Sequence, residues 1–115
     1  MTRINVVPVE ELCNKHLFAE WRELPRMGSF ARRCADNQRP SDYVLGPGHM
    51  KFFIDKGMFL ERRHAELTAE CLKRGYRLTL LDRFTMPQYW GYRDYVPTAN
   101  ALALNRQRIF ERMPK

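Results

Sequence analysis

The chain opens Met1-Thr2-Arg3-Ile4-Asn5, and a Met followed by a residue as small as Thr favours removal of the initiator. Thr2 would then carry the free α-amine. An α-amine has a reference pKa of about 7.7 to 8.0 against about 10.4 for Lys, so near neutral pH a useful fraction is unprotonated without any perturbation. An unprotonated amine is a nucleophile that can form a Schiff base. Downstream, His16, Arg22, Glu23 and Arg26 recur at helical spacings. His16 and Glu23 lie about two turns apart, and Arg22 and Arg26 stand at i and i+4 on an adjacent stripe. One carboxylate among three potential cations can stabilise a developing positive charge while anions are gripped beside it. The same pattern also fits the solvated polar face of an ordinary surface helix.

Such groups need elements to hold them. Arg3 to Val7 reads as an extended arm, and Pro8 is acceptable at or just before a helix start. Glu10 and Glu11 suit a first turn, and Val9, Leu12, Cys13, Leu17 and Leu24 supply an apolar stripe, which predicts a first helix from about Val9 to Leu24. Pro25 removes a backbone donor and ends or kinks that helix, delivering Arg26 at a bend. A shorter helical piece is predicted from Phe30 to Ala35. Gln38 to Gly48, rich in Pro, Gly, Ser and Asp, is loop chemistry, and its Gly-Pro-Gly-His turn fits a connector or a close approach to phosphate equally well.

The second long helix is predicted from His49 to Arg74, with Gly57 as a weak point and Gly75 as its stop. Phe53, Leu60, Leu67 and Cys71 mark its core face, while Arg62, Arg63, Lys73 and Arg74 are expected largely on solvent. His64 reads as a structural or surface histidine. From Tyr76 to Pro97 the chain is irregular and aromatic, with Tyr76, Phe84, Tyr89, Trp90, Tyr92 and Tyr95 forming either satellite core or a stacking surface for bases. Thr98 caps a last helix whose stripe is Leu102, Ile109 and Met113.

At 115 residues the chain has room for one core and is expected to be a single domain, 1–115. A mean hydropathy of -0.56 and the absence of any long apolar run describe a soluble protein without a membrane span or signal peptide, expected inside the cell. Twenty Lys and Arg against thirteen Asp and Glu give a net charge of +7, and fifteen of the twenty are Arg, which forks onto phosphate and stacks on bases. That balance points to a polyanion partner, most often nucleic acid. Cys13, Cys34 and Cys71 are odd in number and widely spaced, so they suggest a reducing compartment and small-hydrophobe roles rather than a disulfide framework. Cys13 and His16 find no second closely spaced pair to complete a metal site, and no metal is expected.

The run Met1-Thr2-Arg3-Ile4-Asn5, then His16-Leu17, Ala19-Glu20 and Arg22-Glu23-Leu24-Pro25-Arg26, closely resembles the opening of the phage-type pyrimidine-dimer DNA glycosylases and abasic-site lyases, the denV-type endonuclease V family. The likeness continues in the family's order through Leu45-Gly46, Gly48-His49, Phe52-Phe53, Asp55-Lys56, Glu70-Cys71-Leu72-Lys73-Arg74-Gly75 and Asp94-Tyr95-Val96-Pro97, and weakens after about Ala101.

The resemblance implies a mostly α single compact domain of about three main helices packed at angles, with an N-terminal arm threading between them and long irregular loops. It implies a DNA repair glycosylase with abasic-site lyase activity, acting on double-stranded damaged DNA as a monomer in the cytoplasm, nucleoid-associated when bound, without cofactor or metal. The α-amine of Thr2 would attack C1′ of the damaged nucleotide, and Glu23 would stabilise the sugar cation and later assist proton transfer. Arg3, Arg22 and Arg26 would grip flanking phosphates, His16 would contact the same backbone or orient Glu23, and the nucleotide opposite the lesion would flip out. The family's aromatic, lysine-containing tail has no counterpart here, although Trp90 and its neighbouring tyrosines are candidates to replace it, and the family is longer between Gln38 and Gly48. The cyclobutane pyrimidine dimer is the expected lesion. A glycosylase for another lesion, a non-catalytic basic helical nucleic-acid binder and a protein-binding helical adaptor are the alternative readings.

Overall fold

Pro25 divides the first helical stretch as its ring requires. The computed structural model, which describes residues 2–79 and 83–113, places α1 at Asn14–Glu23 and α2 at Arg26–Arg33, with Pro25 as the residue that caps the second. Proline favours a helix start, so α2 begins at once instead of at Phe30, where the sequence placed it.

The expected helix from Val9 is split as well. Val9–Glu11 forms a 3₁₀ turn, Leu12 and Cys13 are extended, and α1 starts only at Asn14. The cause is Arg74, whose guanidinium takes the carbonyls of Leu12 (2.7 Å), Glu10 (3.3 Å) and Val9 (3.4 Å). The Leu12 and Glu10 carbonyls would otherwise close α-helical turns, whereas the Val9 carbonyl also closes the 3₁₀ turn on Leu12 N–H at 3.1 Å. Arg74 is therefore not a solvent-facing charge, contrary to expectation.

The predicted long helix is two: α3 at His49–Phe52 and α4 at Gly57–Lys73. At the break, the Asp55 carbonyl accepts from the Arg93 N–H at 2.8 Å, and Tyr92 packs so closely on Gly57 that a Cβ there would sit 2.7 Å from its ring. Docking of the 88–93 loop thus replaces continuous helix. Gly75, at φ +90°, ends α4 with Tyr76 N–H returning to the Cys71 carbonyl at 3.0 Å. The last helix, α5, spans Ala99–Glu111, and the Thr98 hydroxyl accepts from Ala101 N–H at its start.

α1 packs across α4, and the core between them collects Leu17, Leu24, Met27, Leu60, Leu67 and Cys71 together with Ile4, Val6 and Val7 of the arm. The aromatics Phe52, Phe53 and Phe59 fill its other end. A Cα radius of gyration of 13.7 Å matches the roughly 13 Å of one compact globule of this length. The fold is mostly α, and among the described residues there is no strand.

Tyr76, Phe84, Trp90 and Tyr95 pack as satellite core, whereas Tyr89 is exposed. Leu102 and Ile109 pack inward from α5, but Met113 lies past the end of that helix and is exposed. Only Cys71 is buried; Cys13 and Cys34 are partly exposed, and all three thiols are free. Among the described residues no helix is long and apolar enough to cross a membrane. Met1, on whose removal the Thr2 amine depends, lies outside the described residues, as do 80–82 and 114–115.

Candidate active site

A strand-like arm with no strand beside it among the described residues must satisfy its backbone groups some other way, and here side chains do so. Ile4 N–H donates to His49 Nε2 at 2.8 Å, and the Ile4 carbonyl accepts from the Tyr43 hydroxyl at 3.1 Å. Val6 and Val7 N–H share Asn105 Oδ1, at 2.7 and 3.2 Å, and the Val7 carbonyl accepts from Arg63. His49 Nδ1 lies 2.8 Å from the Val44 carbonyl and donates to it, leaving Nε2 as the acceptor that Ile4 needs. The ring is therefore neutral, and burial, helped by the nearby Arg3 charge, pushes its pKa down.

Anchored this way, the arm forms one wall of a cleft of about 270 Å³ whose other walls are α1 and α5. Arg3, His16 and Glu23 line it together, joined by Lys15, Arg108 and Arg112. Thr2 is buried, immediately ahead of Arg3 on the arm. Arg22 and Arg26 are about three-fifths exposed and flank Glu23, with guanidinium nitrogens 3.7 and 3.9 Å from its carboxylate.

Two carboxylates, one helical turn apart, reach this cleft, and their surroundings differ. Glu20 is buried and clasped by Arg63, Nε to Oε2 at 2.8 Å and Nη2 to Oε1 at 3.0 Å, and Asn5 Nδ2 adds a third bond at 2.9 Å. Its charge is neutralised in a bidentate pair of the strong kind. Glu23 is about a quarter exposed and its cations stand beyond hydrogen-bonding distance. Glu23 is the carboxylate free to serve something that enters.

Polar atoms left without partners point the same way. Among the described residues, Arg3 Nη1, His16 Nδ1 and Arg108 Nε are buried without a hydrogen-bond partner, and all three residues line this cleft. Buried polar groups are rarely left so. His16 Nε2 donates to the Arg112 carbonyl at 3.1 Å, so Nδ1 is a bare acceptor in the neutral ring and a donor once the ring is protonated. Burial, reinforced by the charges of Arg108 and Arg112, disfavours the Arg3 cation. An oxyanion in the cleft would supply the acceptors that Arg3 Nη1 and Arg108 Nε lack and relieve the crowding of like charge.

Sequence reasoning missed several of these groups. Arg63, expected on solvent, is buried against Glu20 because it falls on the apolar stripe of α4, between Leu60 and Leu67. That register was the signal. Asn105, which holds the arm, and Arg108, which lines the cleft, come from α5, and the cleft residue Arg112 caps its end; the resemblance fades there and no local pattern marks these three. Arg62 and Lys73 do face solvent, and His64 is buried against Trp21, 3.2 Å from its carbonyl. Among the described residues no group of three His, Cys, Asp or Glu side chains could hold a metal ion. The sequence model of the family described as pyrimidine dimer DNA glycosylase matches residues 1–83.

Proposed function

The chain belongs to the pyrimidine dimer DNA glycosylase family, and from that premise we propose that it both excises a damaged base and cleaves the strand through a Schiff base to the Thr2 α-amine. It is a DNA repair glycosylase; the lyase step, the nucleophile and the cyclobutane pyrimidine dimer as lesion are the proposal. The observation that carries it is the convergence of unpartnered Arg3, His16 and Arg108 atoms on one cleft with the loosely paired Glu23.

Removal of Met1 would free the amine at the head of the anchored arm. The amine attacks C1′, the glycosidic bond breaks, and its electron pair leaves with the base. The Glu23 carboxylate stabilises the positive charge that develops on the sugar, as carboxylates do in glycoside hydrolysis. Loss of a proton from nitrogen and opening of the sugar ring give the Schiff base. Abstraction of a C2′ proton, assisted by Glu23, then expels the 3′ phosphate by β-elimination, and water releases the amine.

Arg3, Arg22 and Arg26 hold flanking phosphates, and His16 contacts the same backbone. The working unit is the whole chain, 1–115, because α5 supplies cleft residues from beyond the family match. It acts on double-stranded DNA inside the cell as a monomer.

Borohydride trapping on an abasic-site duplex tests the nucleophile. The native protein should be trapped covalently, and a protein acetylated at Thr2 or extended by one Gly before it should not. One residue moves the amine by up to about 3.5 Å, where reaction needs atoms held within roughly 3 to 3.5 Å. Trapping that survives the extension would transfer the role to a lysine such as Lys15, which lines the cleft. Cleavage of ultraviolet-irradiated but not undamaged plasmid tests the lesion.

A further inference from the structure

A second cleft, of about 360 Å³, shares no lining residue with the first. At its base sits Asp55, whose side chain is 1% exposed. Three cations gather on that carboxylate: Lys56 Nζ at 2.9 Å from Oδ1, and Arg39 Nη2 at 3.1 Å and Arg93 Nη1 at 3.7 Å from Oδ2. Asn37 and Ser41 add neutral donors to the lining. Asp42, the residue after Ser41, is exposed and is not among the lining residues.

Two features separate this cluster from a structural ion pair. Three positive charges face one negative charge, so the lining carries a net excess of two. Moreover, among the described residues Asp55 Oδ2 is buried without a hydrogen-bond partner, because neither guanidinium near it is aligned on it. Arg39 spends Nη1 on the Asn37 carbonyl at 2.8 Å, which leaves its other N–H groups for the cleft. The carboxylate itself is held in place. Its backbone carbonyl accepts from Arg93 N–H, and Gly91, at φ +128°, lies so close that a Cβ would come within 3.3 Å of the Asp55 Cβ. The fitting occupant brings negative charge for the cations and a hydrogen-bond donor for Oδ2.

We propose that this second cleft binds a phosphate group carrying its own proton, with Arg39, Lys56 and Arg93 taking its oxygens and Asp55 Oδ2 accepting its P–OH. Hydrogen phosphate meets that description, and so does the protonated phosphomonoester at the end of a nucleic-acid strand. An internal phosphodiester does not, since it has no P–OH. The strand-end source rests on the reading of the chain as a DNA enzyme; the free anion does not.

Calorimetric titration of the full chain with inorganic phosphate and with sulfate, at about pH 6.5 where a phosphomonoester of second pKa near 6 is partly protonated, tests the site. Sulfate matches phosphate in shape but has no proton, and it would press an acceptor against Oδ2. Phosphate should bind at least about tenfold more tightly, the scale on which an unpaired buried acceptor is penalised. Asp55→Asn should erase the preference. Arg93→Gln, at a largely exposed side chain whose loss the fold tolerates, should weaken both anions. Equal binding of the two anions by the native protein, no phosphate binding at all, or undiminished binding by Arg93→Gln would each overturn the proposal. Short duplexes with 5′-phosphate or 5′-hydroxyl ends identify the source: a preference for the phosphorylated end that Arg93→Gln abolishes assigns the strand end. Equal duplex binding with phosphate binding intact assigns the free anion. Loss of abasic-site trapping with phosphate binding retained would count against the proposed function alone.

Discussion

Asn105→Ala should loosen the arm that carries the proposed nucleophile while leaving the protein folded. Asn105 Oδ1 accepts from Val6 and Val7 N–H, and its Nδ2 donates to Asn5 Oδ1 at 2.8 Å. Truncation strands two backbone donors and one amide oxygen. Each buried group left unpaired costs about 1–3 kcal/mol, but Asn5 also lines the cleft, where water can enter, so the low end applies and the sum is about 3 kcal/mol. Against a typical total of about 5–15 kcal/mol the fold survives, with a melting temperature lower by roughly 12 °C at about 4 °C per kcal/mol for a chain of this size. A nucleophile displaced by an ångström loses about a hundredfold in rate, so excision measured well below the transition should fall by about that factor.

The near-isosteric Asn105→Asp sharpens the test. Glu20, paired with Arg63, can only accept, so Asn5 must present Nδ2 to Glu20 and Oδ1 to Asn105. Aspartate at 105 keeps an acceptor for Val6 and Val7 but places a second acceptor against Asn5 Oδ1, and turning the Asn5 amide over only moves the clash to Glu20. Asn105→Asp should therefore destabilise despite its shape. Denaturant unfolding and single-turnover excision measure both quantities. Full activity in Asn105→Ala with stability within about 0.5 kcal/mol of native, the range of an ordinary surface substitution, would refute the view that α5 holds the arm.

Three further outcomes are expected. Glu23→Gln should lower base excision by about 10² to 10³, the scale of one lost electrostatic stabiliser, with duplex binding kept or tightened; a wild-type rate would reduce Glu23 to a helix-face residue. Affinity for undamaged duplex should fall with salt at a log–log slope steeper than about -3, at about 0.9 per phosphate neutralised, and a flat line would remove Arg3, Arg22 and Arg26 from backbone contact. Burial pushes the pKa values of His49 and His64 down, so between the depressed folded values and the unfolded value near 6.5 the unfolded chain binds more protons. Stability should be complete above about pH 6.5 and decline as pH falls below it, which unfolding midpoints across that range will show; a midpoint unchanged down to pH 5 would contradict it.

Local chemistry made the helical stretches legible. Pro25 marked a break, Gly75 a stop, Thr98 a cap, and Leu60, Leu67 and Cys71 a buried face. What failed were the continuities. The helix predicted from Val9 breaks because Arg74, more than sixty residues later, takes its carbonyls. The helix predicted from His49 breaks because the 88–93 loop takes the Asp55 carbonyl and presses Tyr92 on Gly57. Periodicity reports which face a segment buries but is silent about distant groups that compete for its backbone. The cleft was legible in part for the same reason: His16 and Glu23 share a helix, so spacing joins them, whereas Arg108 and Arg112 reach it only through the packing of α5.

Glu20 and Glu23 show how packing, not residue type, sets a carboxylate's task. Both belong to α1 and both reach the cleft. Glu20 faces Arg63 and Asn5, and its side chain is 1% exposed. A buried charge in that place is tolerable only while its partners remain, so its energy is committed to joining α1, α4 and the arm. Glu23, one turn nearer the bend at Pro25, stands between Arg22 and Arg26, whose guanidinium nitrogens lie 3.7 and 3.9 Å away, and among the described residues no hydrogen bond occupies its carboxylate. The neutralised carboxylate therefore adds one anchor to the arm, through Asn5, and the cleft keeps its electrostatic capacity in the other. Exchange the surroundings of the two, and the same pair of residues would exchange tasks.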